Sequence, residues 1–145
     1  MASNFERVRN WMQAVKQATP DKHTPFDLDT LELRRRLIFE ESEEVFMCLG
    51  AMLDGGENSR LNPRHNRELV KELCDLLVVT YGALVALGVD GDVAFQLVMD
   101  NNDGKIEHAV HREDGKAIVP DDVKAQLKSE MTNKLQKLLY KEAAL

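Results

Sequence analysis

Leu37-Ile38-Phe39-Glu40-Glu41-Ser42-Glu43-Glu44-Val45 places four carboxylates in a segment whose apolar residues otherwise recur at helical spacing. An ideal helix turns about 100° per residue, so with Val45 at zero, Ile38, Leu49 and Met52 fall within about 40° and mark a buried stripe. Glu41 lies about 40° from the centre of that stripe, and Glu44 about 100° away at its edge. Glu40 is further round, and Glu43 points away. A carboxylate on an apolar face is costly unless something positive compensates it. Two compensations are open here. One is an Arg or Lys from another helix; the other is a divalent cation, because hard cations take oxygen ligands.

A second acidic pair follows in Glu68-Leu69-Val70-Lys71-Glu72-Leu73-Cys74-Asp75-Leu76-Leu77-Val78-Val79. Glu72 and Asp75 are three apart and share one helix face. Asp75 is the only charge between Leu73 and Val89, so it is either an ion-pair partner in the core or a ligand. Glu41 and Glu44 have the same i, i+3 spacing. The Gly-rich stretch between the two segments permits antiparallel packing, which sets the pairs facing each other across about 8–10 Å. Four carboxylates at that separation repel unless cations intervene. Magnesium or manganese suits all-oxygen ligation and retains waters that a phosphate can displace. Zinc is disfavoured because neither pair brings His or Cys in ligand register, and a di-iron site is disfavoured for want of Glu-x-x-His. Asp100 to Gly104 does not make an EF-hand, since its glycine comes one position early and the bidentate glutamate is missing.

Composition bounds the partners. Of 145 residues, 43% are hydrophobic and 30% charged, as in ordinary globular proteins, and the length supports one domain with a proper core. A net charge of −6 argues against a nucleic-acid polymer as ligand, which usually needs a basic face. It leaves a small anion open, because a bound metal reverses the local sign. Cys48 and Cys74 sit among apolar helical residues without CxxC spacing. They are expected as reduced, buried thiols in a cytoplasmic protein. The N-terminus lacks the pattern of a signal peptide. The most apolar run, Leu76 to Val89, is too short for a membrane span and contains Gly82 and Gly88, so no membrane partner is expected.

In chain order, Ser3 to Gln17 reads as an amphipathic helix, with Phe5, Val8, Met12 and Val15 inward and a Ser3/Glu6 capping box. Trp11, the only tryptophan, lies just off that stripe, either as interface packing or as a face for a planar ligand. Ala18 to Pro25 is a Pro-containing connector. Asp27 or Asp29 caps a second helix running to about Leu53, ended by the turn chemistry of Asp54 to Ser59. After a polar loop through Asn62, a third helix runs from Pro63–Arg67 to about Leu87. Its second half is apolar nearly all round and belongs in a core or an interface. A fourth helix covers roughly Asp92 to Asp100, with continuation to Lys105 open. His108 to Lys116 reads as an ordered loop or tight hairpin, and a Lys-rich, peripheral last helix runs from Asp121 to about Ala143. The fold class is all-α, a bundle of about five helices forming a single domain over 1–145, with a core at about 18–120. The incompletely covered third helix points to an oligomer.

Glu40-Glu41-x-x-Glu44, a long spacer, and Glu72-x-x-Asp75 together resemble the signature of the all-α nucleoside triphosphate pyrophosphohydrolases. That superfamily includes the MazG proteins, dimeric dUTPases and phosphoribosyl-ATP pyrophosphohydrolase. The resemblance runs from Ala18 to Pro120. It takes in Thr19-Pro20, Thr24-Pro25, Leu76 to Leu84, Asn102-x-x-Lys105, and Arg112-x-Asp114-Gly115-Lys116 with Pro120. It looks most like the single-domain MazG-like branch, with its dUTPase-like and phage dGTP-specific members. The resemblance implies hydrolysis of a (deoxy)nucleoside triphosphate, such as dGTP or dUTP, to monophosphate and pyrophosphate. Glu41, Glu44, Glu72 and Asp75 would ligate two or more Mg²⁺ or Mn²⁺ ions, and Glu40 would orient or deprotonate the attacking water. Asn102, Lys105, Arg112 and Lys116 would hold the sugar or phosphates, and Trp11 is a candidate base-pocket wall. The uncovered third helix makes a homodimer or a homotetramer equally credible, and the expected location is the cytoplasm of a bacterium or a phage-infected host cell. Two rival classes stay in view: a nucleotide-binding sensor without turnover and a helical-bundle interaction protein. Met99-Asp100-Asn101 before Asn102, and the filler Asp103-Gly104, depart from the pattern of relatives. Arg34 falls on the apolar stripe, where it pairs with a carboxylate or reaches a substrate phosphate.

Overall fold

The computed structural model describes residues 1–140. Its contacts group the chain into two compact units, Met1–Gly88 and Val89 onward. The first unit holds helices α1 (Asn4–Ala14), α2 (Leu28–Asp54), α3 (Gly56–Arg60) and α4 (Pro63–Ala86).

Each long helix starts where a side chain satisfies its free N–H groups. Ser3 Oγ accepts from the Glu6 amide at 3.1 Å while Glu6 Oε2 accepts from the Ser3 amide at 2.8 Å, completing the capping box. Asp27 Oδ1 accepts from the Thr30 amide at 2.7 Å, which holds its carboxyl below the usual range. Asn62 caps α4, with Pro63 at the first helical position. Helix α1 stops at Ala14, three residues before the expected Gln17. Lys16 turns to φ 59°, and the Gln17 amide closes back onto the Met12 carbonyl at 2.9 Å. Val15 is thereby left exposed.

The core of this unit gathers Phe5, Val8 and Met12 of α1 against Val85 and Ala86 of α4, with Phe26, Tyr81 and Leu84 packed around them. Phe5 and Tyr81 meet edge to face at 6.2 Å. The connector is pinned to the end of α4, where the Thr24 amide donates to the Leu87 carbonyl at 2.9 Å. Gly88 adopts φ +66°, and a Cβ there would collide with the Lys22 carbonyl. Only glycine serves at that position.

Helix α2 packs chiefly against α4. Along the seam Arg34 meets Gly82, Glu41 meets Asp75, and Glu44 meets Glu72. One helix's numbers rise as the other's fall, so the two run antiparallel as expected. Val45 is buried, but Leu49 is 40% exposed. Phe39, Phe46, Met47 and Leu53 of α2, and Val70, Leu73 and Leu77 of α4, are exposed as well. Two further expectations need correction. The stretch after Asp54 is the short helix α3 rather than an open turn, because Ser59 Oγ bonds both the Ala51 carbonyl (3.3 Å) and the His65 ring (2.7 Å) and winds the chain inward. Cys74 is exposed and Cys48 half-buried, both as free thiols, because position 74 opens onto a cavity between α4 and α1, beside Asn4, Arg7 and Trp11.

The second unit holds α5 (Gly91–Ile106), a hairpin of β1 (Val110–His111) and β2 (Ala117–Ile118), and α6 (Asp121–Leu139). Asp90 Oδ1 caps α5 through the amides of Asp92 and Val93 at 3.0 and 3.1 Å. The helix runs unbroken through Asn101-Asn102-Asp103-Gly104, beyond the expected Asp100. Gly104 lies against Leu127 of α6, where a Cβ would crowd that side chain. The hairpin pairs Val110 with Ile118 and His111 with Ala117, with Gly115 at φ +79° in its turn. Helix α6 ends at Leu139, and residues 141–143 of the expected helix lie outside the described residues. Among the described residues the fold is all-α apart from this hairpin. No single helix there is long and apolar enough to cross a membrane.

Candidate metal centre

The two i, i+3 pairs converge. Glu41, Glu72 and Asp75 each bring one carboxylate oxygen within 4.8 Å of the others, all three half-buried. Glu44, exposed, interacts with two of these acids. Its hydrogen bond to Glu72, together with the charges of Glu72 and Glu41, pushes its carboxyl above the ordinary value. The two pairs meet because three residues on a helix return to nearly the same face and because α2 and α4 are antiparallel neighbours.

Without an ion, like charges so close have two remedies, a shared proton and a resident cation. The raised Glu44 carboxyl favours the first. Lys71 supplies the second, donating at 2.8 Å to Asp75 Oδ2 and at 3.1 Å to both oxygens of Glu72. These bonds raise its ammonium pKa. Sequence reading missed Lys71, although its i, i+4 spacing to Asp75 was the available signal.

One observation tests whether a metal suits this group. Glu41 Oε2 is fully buried and has no hydrogen-bond partner. A buried anionic oxygen without a donor is expensive, and a hard divalent cation is the group that satisfies it. Glu41, Glu72 and Asp75 offer oxygen ligands with no His or Cys among them, a donor set that suits a hard ion such as Mg²⁺ or Mn²⁺.

Two expectations follow for the ion-free protein. Replacing Lys71 by Met removes the resident cation, so the ion-free melting temperature falls while Mn²⁺ binding, measured by calorimetry, tightens severalfold. For Glu44, a folded pKa above its ordinary 4.5 means that the folded state binds the extra proton. Its contribution is therefore present below pH 4.5 and lost as pH rises through the folded value. Without metal, the melting-temperature gap between Glu44→Gln and wild type should grow in favour of the variant across that window. A flat gap from pH 4 to 7 would contradict the shared proton.

The other candidate residues are not among the three acids that meet within 4.8 Å. Glu40 is exposed, with Arg36 Nε at 3.9 Å. Trp11 is 55% exposed and lines a cavity that also reaches Glu41 and Asp75. Arg34 is buried and, among the described residues, pairs with no carboxylate; it donates to Gln17 Oε1 at 2.7 Å. Asn102, Lys105, Arg112 and Lys116 belong to the second unit. There Lys105 donates to Asn102 Oδ1 at 3.2 Å, and Arg112 pairs with Asp114 at 3.1 Å. Lys105 also lines an open cavity with Lys124 and Lys128.

Comparison with protein families finds a match over residues 5–102, which is 98 of 145, to the model of phosphoribosyl-ATP pyrophosphohydrolase. The chain belongs to that family. It is therefore an enzyme of the all-α nucleoside triphosphate pyrophosphohydrolase superfamily, and a nucleotide is its substrate class. All four clustered acids of this pyrophosphohydrolase, and Arg34, lie inside the matched span; Asn102 is its last residue. Lys105, Arg112 and Lys116 lie beyond it. No curated protein matches the chain.

Proposed function

We propose that the enzyme cleaves a deoxynucleoside triphosphate, such as dGTP or dUTP, with water to the monophosphate and pyrophosphate, using Mg²⁺ or Mn²⁺. The observation that carries this reading is the convergence of Glu41, Glu72 and Asp75 within 4.8 Å in a chain of a pyrophosphohydrolase family.

In this reading Glu41, Glu44, Glu72 and Asp75 hold the ions. Divalent ions there would neutralise the triphosphate charge. Glu40, exposed and next in sequence to Glu41, orients the attacking water and accepts its proton. Asn102, Lys105, Arg112 and Lys116 donate to phosphate oxygens or the sugar, as in the resemblance. Trp11 offers its ring to the base. We read the chain as one catalytic domain of the MazG-like branch, cytoplasmic, and paired or tetrameric through the exposed apolar faces of α2 and α4.

The family's description favours one alternative substrate, phosphoribosyl-ATP. A panel of nucleoside triphosphates and phosphoribosyl-ATP, assayed for pyrophosphate release with Mg²⁺ or Mn²⁺, tests both. The proposal expects metal-dependent release from a deoxynucleotide, stopped by a chelator. Release from phosphoribosyl-ATP alone would shift the substrate, and no release from any of them would defeat the catalytic reading.

A further inference from the structure

The metal-ligating acids do not account for Arg34. Its side chain is 4% exposed, and burial lowers its pKa. Among the described residues its one hydrogen bond goes to Gln17 Oε1, and its Nε is fully buried with no acceptor. Gly82 makes room for it, since a Cβ there would stand 3.1 Å from Arg34 Nη1 and 3.4 Å from Met12 Sδ. Arg34 and Glu41 lie two helical turns apart on one face of α2, about 10 Å along the axis. No ion pair joins them.

Between them lies a cavity of about 250 Å³. Glu41 and Asp75 line its acidic end, and Arg34 and Gln17 its other end. Trp11 and Val78 stand among its apolar walls. Gln17 spends its carbonyl on Arg34, so its amide nitrogen is what it offers a ligand. The end remote from the acids is therefore rich in donors, the Arg34 guanidinium and the Gln17 amide nitrogen.

We propose that Arg34, braced by Gln17, is the specificity-determining residue of this cavity and selects nucleobases that carry a carbonyl, a 6-keto purine or a 4-keto pyrimidine, over their amino counterparts. The inference rests on the pyrophosphohydrolase reading, with the triphosphate at the acidic end and the base directed toward Arg34. A carbonyl accepts from the part of the Arg34 guanidinium that lines the cavity. An exocyclic amino group sets donor against donor in a buried site, which sites of this kind reject strongly. Arginine is suited to the task because its guanidinium is planar and permanently charged.

The test uses matched pairs, dITP against dATP and dUTP against dCTP, in wild type, Arg34→Met and Gly82→Ala. Wild type should favour the carbonyl member of at least one pair by about tenfold or more in kcat/KM. The ratio should collapse toward one in Arg34→Met and shrink in Gly82→Ala, where the guanidinium is displaced. The purine and pyrimidine arms tell which ring size the cavity takes. Quenching of Trp11 fluorescence by dIMP, dAMP, dUMP and dCMP gives a second readout, independent of turnover, and should show the same preferences. Turnover without carbonyl preference, equal binding of each pair, or an unchanged ratio in Arg34→Met would overturn the assignment. Absence of turnover with any nucleotide would instead defeat the catalytic reading alone, and the fluorescence preference would still decide the role of Arg34.

Discussion

Glu41→Gln is expected to cut kcat/KM for pyrophosphate release at least about a hundredfold, because loss of a partner that merely supports a ligand already costs about 10–100-fold. Glu41 brings one of the three oxygens lying within 4.8 Å of one another, and its Oε2 is buried without a donor. Gln keeps the shape but removes the charge, and with it a share of the repulsion among the four acids. The ion-free variant should therefore melt at the wild-type temperature or above it, while the stabilisation that wild type gains from Mn²⁺ largely vanishes. Activity and ion-free stability thus move in opposite directions. A variant that keeps wild-type kcat/KM, or one that loses activity only because it unfolds, would contradict the role assigned here.

The largest stability effect is expected at Met12, whose side chain is completely buried at the junction of α1 and α4. Met12→Ala removes three heavy atoms and leaves a void beside Val85, Ala86 and the Arg34 guanidinium. Truncations of this kind cost about 2–5 kcal/mol, which corresponds to a fall of roughly 10 °C in melting temperature for a chain of this size. Thermal unfolding followed by circular dichroism reads it directly. The neighbouring Trp11→Ala, at a half-exposed position, should cost far less. Similar losses at the two positions would mean that α1 packs differently from the structure.

Helices α2 and α4 were legible in the sequence because three local signals agree. Asp27 or Asp29 and Pro63 mark their starts, apolar residues recur along one face, and Gly55-Gly56 ends the first. The acidic cluster was legible for a further reason. A pair at i, i+3 on each of two antiparallel helices leaves few arrangements in which the pairs do not meet. What escaped depends on partners far away in sequence. Arg34 finds Gln17 across the connector, and nothing local announces that Lys16 will take φ 59° and end α1 early. Ser59 reaches back to Ala51 and across to His65, which turns an apparent loop into α3. Cys74 looked buried because its neighbours are apolar, yet several of them, Leu73 and Leu77 included, are exposed too. Hydrophobic content alone does not tell a core face from a surface that awaits a partner. Lys71 was overlooked for the opposite reason. A lysine on a helix surface usually does little, and its importance here comes from the company of Glu72 and Asp75.

The central claim is that the acids of α2 and α4 close on divalent ions. Anomalous scattering from crystals of the protein grown with Mn²⁺ tests it most directly. The account predicts a manganese peak within ligand distance of Glu41, Glu72 and Asp75, with the Lys71 ammonium displaced from them. No peak between these side chains, with Lys71 still seated on Glu72 and Asp75, would contradict it.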